Sequence, residues 1–407
     1  MGAERDDGSI SPTSTASAGE QVIEALLEGD HHLGPDQIAS TVRRLCRAIS
    51  IEEATAYLVD HSQRTLFTLP GTEGEATELD VDGTIAGRAF QTEAPAFGVQ
   101  GEGSVAVWVP IKDGSERLGV LWAVAPDDDP ITLRRLQAVA TLIAAMVVSR
   151  AQYGDALLLA RRRKLMSLAA EMRWSMLPPL TYVGPGITIA GALEPAYEIA
   201  GDTFDYGING ALSHVAILDA MGHGLEASLM ASLAVSSYRH SRRAGLPLDD
   251  TIRAMDAAVS SQFPSDRFVT AQLATLDVAS GELRYVSAGH PAPMLVRNGR
   301  VIGDLRTAPA PPAGLGLQAP EIMTTGLEPG DRLLLLSDGA IEARSADGAL
   351  FGRDRLGDLL ERAVASGLPA SEVMRRLMHA LLDHQQDVLQ DDATLLLVEW
   401  PNGVGSH

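Results

Sequence analysis

Aspartates mark the ends of apolar, strand-like runs at four places in the second half of the chain, and this pattern restricts the possible folds most. The four motifs are residues 201–205 (GDTFD), 218–224 (LDAMGHG), 336–339 (LSDG) and 390–394 (QDDAT). A carboxylate at the end of a buried strand is costly unless a cation or hydrogen bonds compensate its charge. Each aspartate taken singly fits a turn or a helix cap. If the four strand ends meet in space, however, they form a divalent metal site, and this is our prediction.

The runs around these motifs predict one domain over about residues 184–400. Apolar or alternating runs typical of strands cover residues 187–193, 214–218, 268–277, 282–288, 294–297, 332–336 and 393–399. Patterns typical of helices cover residues 226–242, 248–263, 353–365 and 370–384. The link VASG between two of the strands predicts a hairpin. Many antiparallel strands with helices outside them indicate an α-β-β-α sandwich of two sheets.

The part of the chain before residue 150 predicts a smaller α+β domain, over residues 18–150, after a flexible polar tail at 1–17. Apolar residues recur at helical spacing over 20–49, and residues 131–148 close the domain as a helix. Strand-like runs lie between them, at residues 54–59, 65–68, 104–110 and 118–123. This order indicates helices flanking a small sheet, an α/β/α arrangement of the size of a sensor domain.

Residues 151–180 join the two domains and predict a helical linker. Their apolar positions approximate a heptad seam, formed by Leu158, Leu165, Ala169, Met172 and Met176. Two interpretations fit this pattern: a surface helix packed on its own domain, or a dimeric coiled coil that passes a signal from one domain to the other. Residues 401–407 form a short tail after the second domain.

The formal net charge of -21 disfavours nucleic acid or an anionic membrane surface as a partner. The longest apolar stretch, residues 136–148, is too short to span a bilayer and fits a packed helix. The single cysteine, Cys46, cannot form an internal disulfide, and the N-terminus lacks the apolar core of a signal peptide. We therefore expect a soluble, cytoplasmic protein.

Carboxylates without histidine or cysteine ligands favour Mg²⁺ or Mn²⁺ over zinc or copper. In their order and spacing, the four motifs resemble those of the PPM family of metal-dependent protein phosphatases, in its bacterial SpoIIE-type branch, over about 215 residues. The resemblance implies two divalent cations, Mn²⁺ or Mg²⁺, with a bridging aspartate between them. It assigns the metal ligands and catalytic aspartates as follows: Asp202, Asp219 (the bridge), the backbone carbonyl of Ala220, Asp338 and Asp391.

Other residues of the motifs are expected to support the ligands. Asp205 and Asp392 would orient waters or ligands, or bind the metal directly. His223 would donate an outer hydrogen bond or transfer a proton, or it would make only a structural contact in its turn. The branch usually has Gly-Gly-Asp where this chain has Ala200-Gly201-Asp202, a change that removes no ligand. The chain offers no evident arginine for gripping a substrate phosphate. We expect His290, in the run SAGHP, to be structural.

Three runs in the first half resemble the GAF family: DGTIAGRAF at 82–90, VPIKDG at 109–114 and LGVL at 118–121. The resemblance implies a sensor domain that either binds a small molecule beside its sheet or serves dimerisation and signal coupling. No residue in these runs identifies a ligand.

Together these features predict a metal-dependent phosphatase of phosphoserine or phosphothreonine proteins, regulated by a GAF sensor and acting as a homodimer. The resemblance implies as substrate a small anti-anti-sigma protein of the STAS type, in a partner-switching pathway. Two alternatives remain open. The second domain could be a catalytically silent scaffold, or the chain could be mainly a small-ligand sensor with weak residual phosphatase activity.

Overall fold

The computed structural model describes residues 34, 37–72, 76–101, 104–195, 197, 201–316, 320–386 and 391–401. The predicted tail at 1–17, the predicted tail at 401–407 except residue 401, and the helical pattern before residue 37 except residue 34 lie outside the described residues. We call residues 37–150 the N-terminal unit and residues 181–400 the C-terminal unit.

The N-terminal unit is an antiparallel sheet with helices on both faces. Its strands, in the order β3-β2-β1-β6-β5-β4, are β1 (Ala54–Val59), β2 (Thr65–Thr68), β3 (Glu78–Asp80), β4 (Ala96–Gln100), β5 (Ser104–Asp113) and β6 (Glu116–Ala125). Helices α1 (Ile38–Ala48) and α3 (Pro130–Arg150) pack on one face, and α2 (Ile85–Thr92) packs on the other. This agrees with the predicted α/β/α layers.

Helix α3 is the one helix in the described part of the chain that is long and apolar enough to cross a membrane. Its apolar side is not free, however. Leu136, Val139, Ile143 and Val147 are at most 5% exposed and pack against the sheet and α1. The helix therefore has the place of a core helix, as its sequence predicted.

The linker predicted as helical over residues 151–180 is helical only in part. The structure has two short helices there, α4 (Ala156–Ala160) and α5 (Leu168–Met176), separated by non-helical chain. The heptad seam is broken as well, because Leu165 is 94% exposed whereas Ala169 is buried. Tertiary contacts override the helical pattern: Arg161 donates to the carbonyl of Val59 in β1, and the hydroxyl of Ser167 caps a new helix.

Two antiparallel sheets form the C-terminal unit. The first sheet has the order β15-β12-β11-β10-β9 and the second β14-β13-β16-β17-β8-β7. The strands are β7 (Thr181–Gly184), β8 (Ile187–Glu194), β9 (Asp202–Asn209), β10 (Leu212–Ala220), β11 (Val269–Asp277), β12 (Glu282–Ala288), β13 (Met294–Arg297), β14 (Arg300–Asp304), β15 (Met323–Gly326), β16 (Arg332–Leu336) and β17 (Ala393–Glu399).

Helices cover both outer faces of this sandwich. Helices α6 (Gly224–Arg243) and α7 (Leu248–Gln262) pack on the first sheet, and α9 (Arg353–Ala365) and α10 (Ala370–His384) pack on the second. A short helix, α8 (Asp338–Glu342), follows β16. Side chains such as Phe204 and Ile217 fill the space between the sheets. The predicted α-β-β-α layering is therefore present.

A buried ionic cluster joins the two units. Arg117 on β6 donates to Glu372 on α10 at 3.1 Å, and Arg375 donates to the same carboxylate at 2.9 Å. Arg375 also donates to Asp82, before α2, at 2.7 Å. The side chains of Arg117, Glu372 and Arg375 are at most 4% exposed. Helix α10 is thus attached to the N-terminal unit on one side and to the second sheet on the other.

Candidate metal centre at the ends of the two sheets

Asp202 and Asp219 lie side by side because β9 and β10 pair with these two residues in register. Strand β9 begins and strand β10 ends at this side of the first sheet. Gly201 allows this arrangement, since a Cβ atom there would lie 2.7 Å from the carbonyl oxygen of Ala220. The glycine retained in the motif therefore lets the turn approach the carbonyl that we predicted as a ligand.

The second sheet supplies the opposite wall of the site. Asp338 follows β16 as the first residue of α8, and Asp391 and Asp392 precede β17. These ends are adjacent because β16 and β17 pair antiparallel, with Ser337 donating its backbone N–H to the carbonyl of Thr394 at 3.0 Å. The backbones also pack without room for a side chain at Gly339, where a Cβ atom would lie 1.9 Å from the carbonyl oxygen of Asp392.

Asp392 links the two walls. Its Oδ2 accepts the backbone N–H of Gly201 at 2.6 Å and that of Asp202 at 3.3 Å. Its own backbone N–H donates to Oδ1 of Asp391 at 2.9 Å. Asp392 is 3% exposed. This carboxylate therefore fixes the turn that carries Asp202.

Burial and mutual repulsion change the acidity of these groups. Burial, the charge of Asp338 and that of Asp391 raise the pKa of Asp219 to about 7. Burial also raises the pKa of Asp202 well above its usual value, and Asp219 adds to the effect. The pKa values of Asp391 and Asp392 are raised as well, mainly by burial. The raised pKa values mean that the ionised carboxylates are unfavourable in the protein alone. A bound cation would stabilise their ionised form.

The residues present fit hard divalent cations. Asp202 Oδ2 and Asp392 Oδ1 are buried and accept no hydrogen bond from the described residues. In that same part of the chain, no three Asp, Glu, His or Cys side chains form a ready coordination shell. The carboxylates are thus gathered at one end of the sandwich but not closed around a point. Oxygen donors of this kind suit Mg²⁺ or Mn²⁺.

The structure corrects the predicted role of Asp205. This residue lies on the other face of β9 from Asp202, and its carboxylate accepts from Arg239 at 2.7 Å and pairs with Arg242 at 3.4 Å, both on α6. Side chains alternate between the faces of a strand, so residues three apart point in opposite directions. Asp205 attaches α6 to the sheet and does not belong to the acidic cluster.

The two histidines of the motifs occupy different settings. His223 is the exposed residue that precedes α6 and makes no side-chain cap hydrogen bond. His290 is 6% exposed, and its Nδ1 lies 2.8 Å from the hydroxyl of Thr270. Burial lowers the pKa of His290 to about 3, so its ring is neutral at physiological pH. These contacts agree with a structural role for His290.

Sequence reasoning missed Arg173, which approaches the cluster from α5. Its guanidinium is 2% exposed, and Nη1 lies 3.7 Å from Oδ1 of Asp392. Arg173 also donates to the carbonyl of Pro195. The available signal was a single arginine inside the run LAAEMRWSM, but nothing in the local sequence places it beside an aspartate more than 200 positions later.

The raised pKa of Asp219 gives the first prediction. Without metal, and between about pH 4 and 7, Asp219 keeps its proton in the folded chain but has lost it in the unfolded chain. The free energy of unfolding therefore falls as pH rises through this range. In EDTA we expect Asp219→Asn to melt higher than the wild type at pH 8, by about 2 °C or more, and by less at pH 5. With Mn²⁺ the order should reverse.

Thermal melting of both proteins at each pH measures this difference, and the comparison cancels the contribution of the buried histidines. A pH-independent difference, or a less stable variant in EDTA at pH 8, would contradict the electrostatic account of the site.

Residues 209–401 match the family model described as Stage II sporulation protein E (SpoIIE). Among curated proteins, phosphoserine phosphatase RsbU of Bacillus subtilis is 25% identical over 57% of this chain and 69% of its own length. Phosphoserine phosphatase RsbP of the same organism is 28% identical over 53% of each protein. The chain thus spans about half of RsbP. Asp219, Asp338 and Asp391 fall inside the matched family region, and Asp202 lies just before it.

Solved structures give weaker likenesses. The RsbU and RsbW domains of Rv1364c from Mycobacterium tuberculosis are 27% identical over 55% of this chain and 63% of that chain, with a TM-score of 0.49. The catalytic domain of the serine/threonine phosphatase PstP, solved with two manganese ions, is 18% identical over 52% of this chain and 98% of that chain, with a TM-score of 0.39.

Proposed function

We propose that this chain, which carries a SpoIIE-type phosphatase domain at residues 209–401, is a metal-dependent phosphatase of phosphoserine or phosphothreonine proteins. The predicted enzyme class is confirmed, because the family model and two curated phosphoserine phosphatases match the same domain. The cofactors are two divalent cations, Mg²⁺ or Mn²⁺. The single observation that supports the proposal is that the strand ends carrying Asp202, Asp219, Asp338 and Asp391 lie together at one end of the sandwich.

The chain's own residues define what the site does. The four aspartates and the carbonyl of Ala220 would hold the cations, and Asp392 keeps the turn at Asp202 against Asp219. When bound, the two cations neutralise charge on a phosphoryl group and lower the pKa of a water molecule beside it. The site lies at an open edge of the sandwich, where Met221 is 37% exposed and Leu225 is 45% exposed. A phosphoserine presented on a protein surface can reach such an edge.

Among the described residues, the one arginine found to approach the cluster, Arg173, does not face the substrate. Arg173 is 2% exposed and faces Asp392, so it does not contact a phosphate that arrives from solvent. We therefore assign recognition of the phosphoryl group to the cations and recognition of the partner to the protein surface around them.

We extend the proposal to the whole chain. The substrate is a phosphorylated regulator of the STAS type in a partner-switching pathway, and the N-terminal unit is a GAF-type sensor that regulates the phosphatase. The chain acts in the cytoplasm as a homodimer. The sheet order β3-β2-β1-β6-β5-β4 and the helices on both faces of the N-terminal unit support a GAF-type fold, and the match to phosphoserine phosphatase RsbU supports a phosphoserine substrate.

Turnover of a phosphorylated STAS protein and of p-nitrophenyl phosphate tests the function. We expect both to be hydrolysed with Mn²⁺ or Mg²⁺ and neither with EDTA, because the aspartates bind the cations and do not attack phosphorus themselves. Hydrolysis of p-nitrophenyl phosphate alone would retain the phosphatase but exclude the STAS substrate. Folded protein without turnover of either compound under any metal would overturn the proposal in favour of a silent scaffold.

A further inference from the structure

Helix α5, between the two units, reaches the acidic cluster through one side chain. Arg173 is the only residue of α5 whose charge is buried: its side chain is 2% exposed, and it faces Asp392, whose side chain is 3% exposed. Arg173 Nη1 and Asp392 Oδ1 are 3.7 Å apart, and neither atom has a hydrogen-bond partner among the described residues. A buried charge is retained at such a cost only where an opposite charge compensates it.

Asp392 transmits this contact to the ligand turn. While Oδ1 faces Arg173, Oδ2 accepts the N–H groups of Gly201 and Asp202. The carbonyl of Pro195 fixes the other side of the guanidinium, because Nη2 of Arg173 donates to it. Arg173 thus lies between the end of β8 and the residue that holds Asp202.

We propose that Arg173 is a positioning residue: through Asp392 it holds the turn at Gly201 and Asp202 in the place where Asp202 and Asp219 bind a cation together. This inference rests on the proposed function, since it concerns the same site. It adds a ligand-positioning role for the segment between the two units. That segment also contacts the N-terminal unit next to Arg173, where the rings of His61 and Trp174 lie 4.3 Å apart.

Titration calorimetry of the full chain with Mn²⁺ alone tests the inference, because the two explanations of Arg173 predict opposite changes in the dissociation constant. If Arg173 acted only as a nearby positive charge, Arg173→Met would tighten Mn²⁺ binding, because a repulsive cation is removed. If Arg173 positions Asp392, the same variant should weaken binding. We expect the dissociation constant to rise about 10-fold or more, as for other residues that orient metal ligands.

Two further variants complete the experiment. Arg163→Met removes an exposed arginine of the same segment, paired with Glu78, and should leave Mn²⁺ binding unchanged. Arg173→Lys keeps the charge but loses the planar fork, and we expect a smaller weakening of about 3-fold to 10-fold. An unchanged or lower dissociation constant in Arg173→Met would overturn the inference.

A double-mutant comparison keeps the test decisive if Arg173→Met does not fold. In an Asp392→Asn background, Arg173→Lys should change the dissociation constant less than about 2-fold, because the residue acts through Asp392. Additive effects would overturn the inference. Wild-type protein that binds no Mn²⁺ would instead overturn the proposed function. Wild-type protein that binds Mn²⁺ no more tightly than a folded Arg173→Met variant would overturn this inference alone.

Discussion

Asp219→Asn is expected to lower the metal-dependent turnover of a phosphoserine protein by at least about 100-fold while the protein remains folded. Asp219 pairs in register with Asp202, and the charges of Asp338 and Asp391 raise its pKa, so its carboxylate would hold a cation in the proposed site. Asparagine has the same shape but carries no charge and offers one acceptor oxygen in place of two. Initial rates at saturating Mn²⁺ and Mg²⁺ measure the loss.

Asp277→Asn is the matched control. Asp277 also ends a strand of the same sheet, but its carboxylate accepts the backbone N–H of Ala279 at 2.9 Å in the turn after β11. It represents the ordinary role of a strand-end aspartate. We expect this variant to keep turnover within about 2-fold, at a cost of about 1 kcal/mol of stability. Equal losses in both variants, or full activity in Asp219→Asn, would contradict the assignment of the site.

Much of the fold could be predicted because its elements carry strong periodic patterns. Helices α9 and α10 have the predicted bounds, and so do strands β1 and β2. In these segments the apolar positions and the buried positions coincide, so local pattern and tertiary packing agree. The four acidic motifs were also sufficient to predict that distant strand ends meet, because no single turn explains all of them.

Strand β9 was not predicted, and the misassignment of Asp205 follows from this. The segment DTFDYGIN contains two aspartates, a glycine and an asparagine, all of which are disfavoured in strands. Its pairing with β10 overrides this preference. Without a predicted strand, the alternation of its side chains could not be applied, and Asp202 and Asp205 were both assigned to the site although they lie on opposite faces.

The linker shows the opposite error: its sequence has a helical pattern, but tertiary contacts determine a different backbone structure. The apolar residues of 151–180 recur at heptad spacing, yet the chain leaves the helix after α4 and contacts both units. Arg163 pairs with Glu78 of the N-terminal unit, and its backbone N–H donates to the hydroxyl of Tyr197. Contacts between residues so far apart in sequence have no local signature, and the same is true of Arg173 beside Asp392.

Glu372→Gln is expected to lower the free energy of unfolding by about 3 kcal/mol or more. Glu372 is fully buried, and it accepts hydrogen bonds from Arg117 of the N-terminal unit and from Arg375 of its own helix. The glutamine leaves two buried guanidinium groups with one fewer negative charge to compensate them. Hydrogen bonds from Arg117 to Gln63 and from Arg375 to Asp82 remain, so the cluster is weakened and not abolished.

Urea unfolding of the full chain measures the effect, and two variants define its cause. Asp249→Asn breaks an exposed pair with Arg253 and should leave the free energy of unfolding almost unchanged. The double variant Arg117→Met/Glu372→Met removes both charges of the bond between the units. It should be more stable than Glu372→Gln, because only one buried guanidinium, that of Arg375, then lacks Glu372, and Arg375 keeps its hydrogen bond to Asp82. If Glu372→Gln unfolded like Asp249→Asn, the buried cluster would contribute nothing to holding α10 against the N-terminal unit. If Glu372→Gln instead has the lowest free energy of unfolding of the three variants, as we expect, then Arg117, Glu372 and Arg375 contribute a large part of the stability of the contact between the two units.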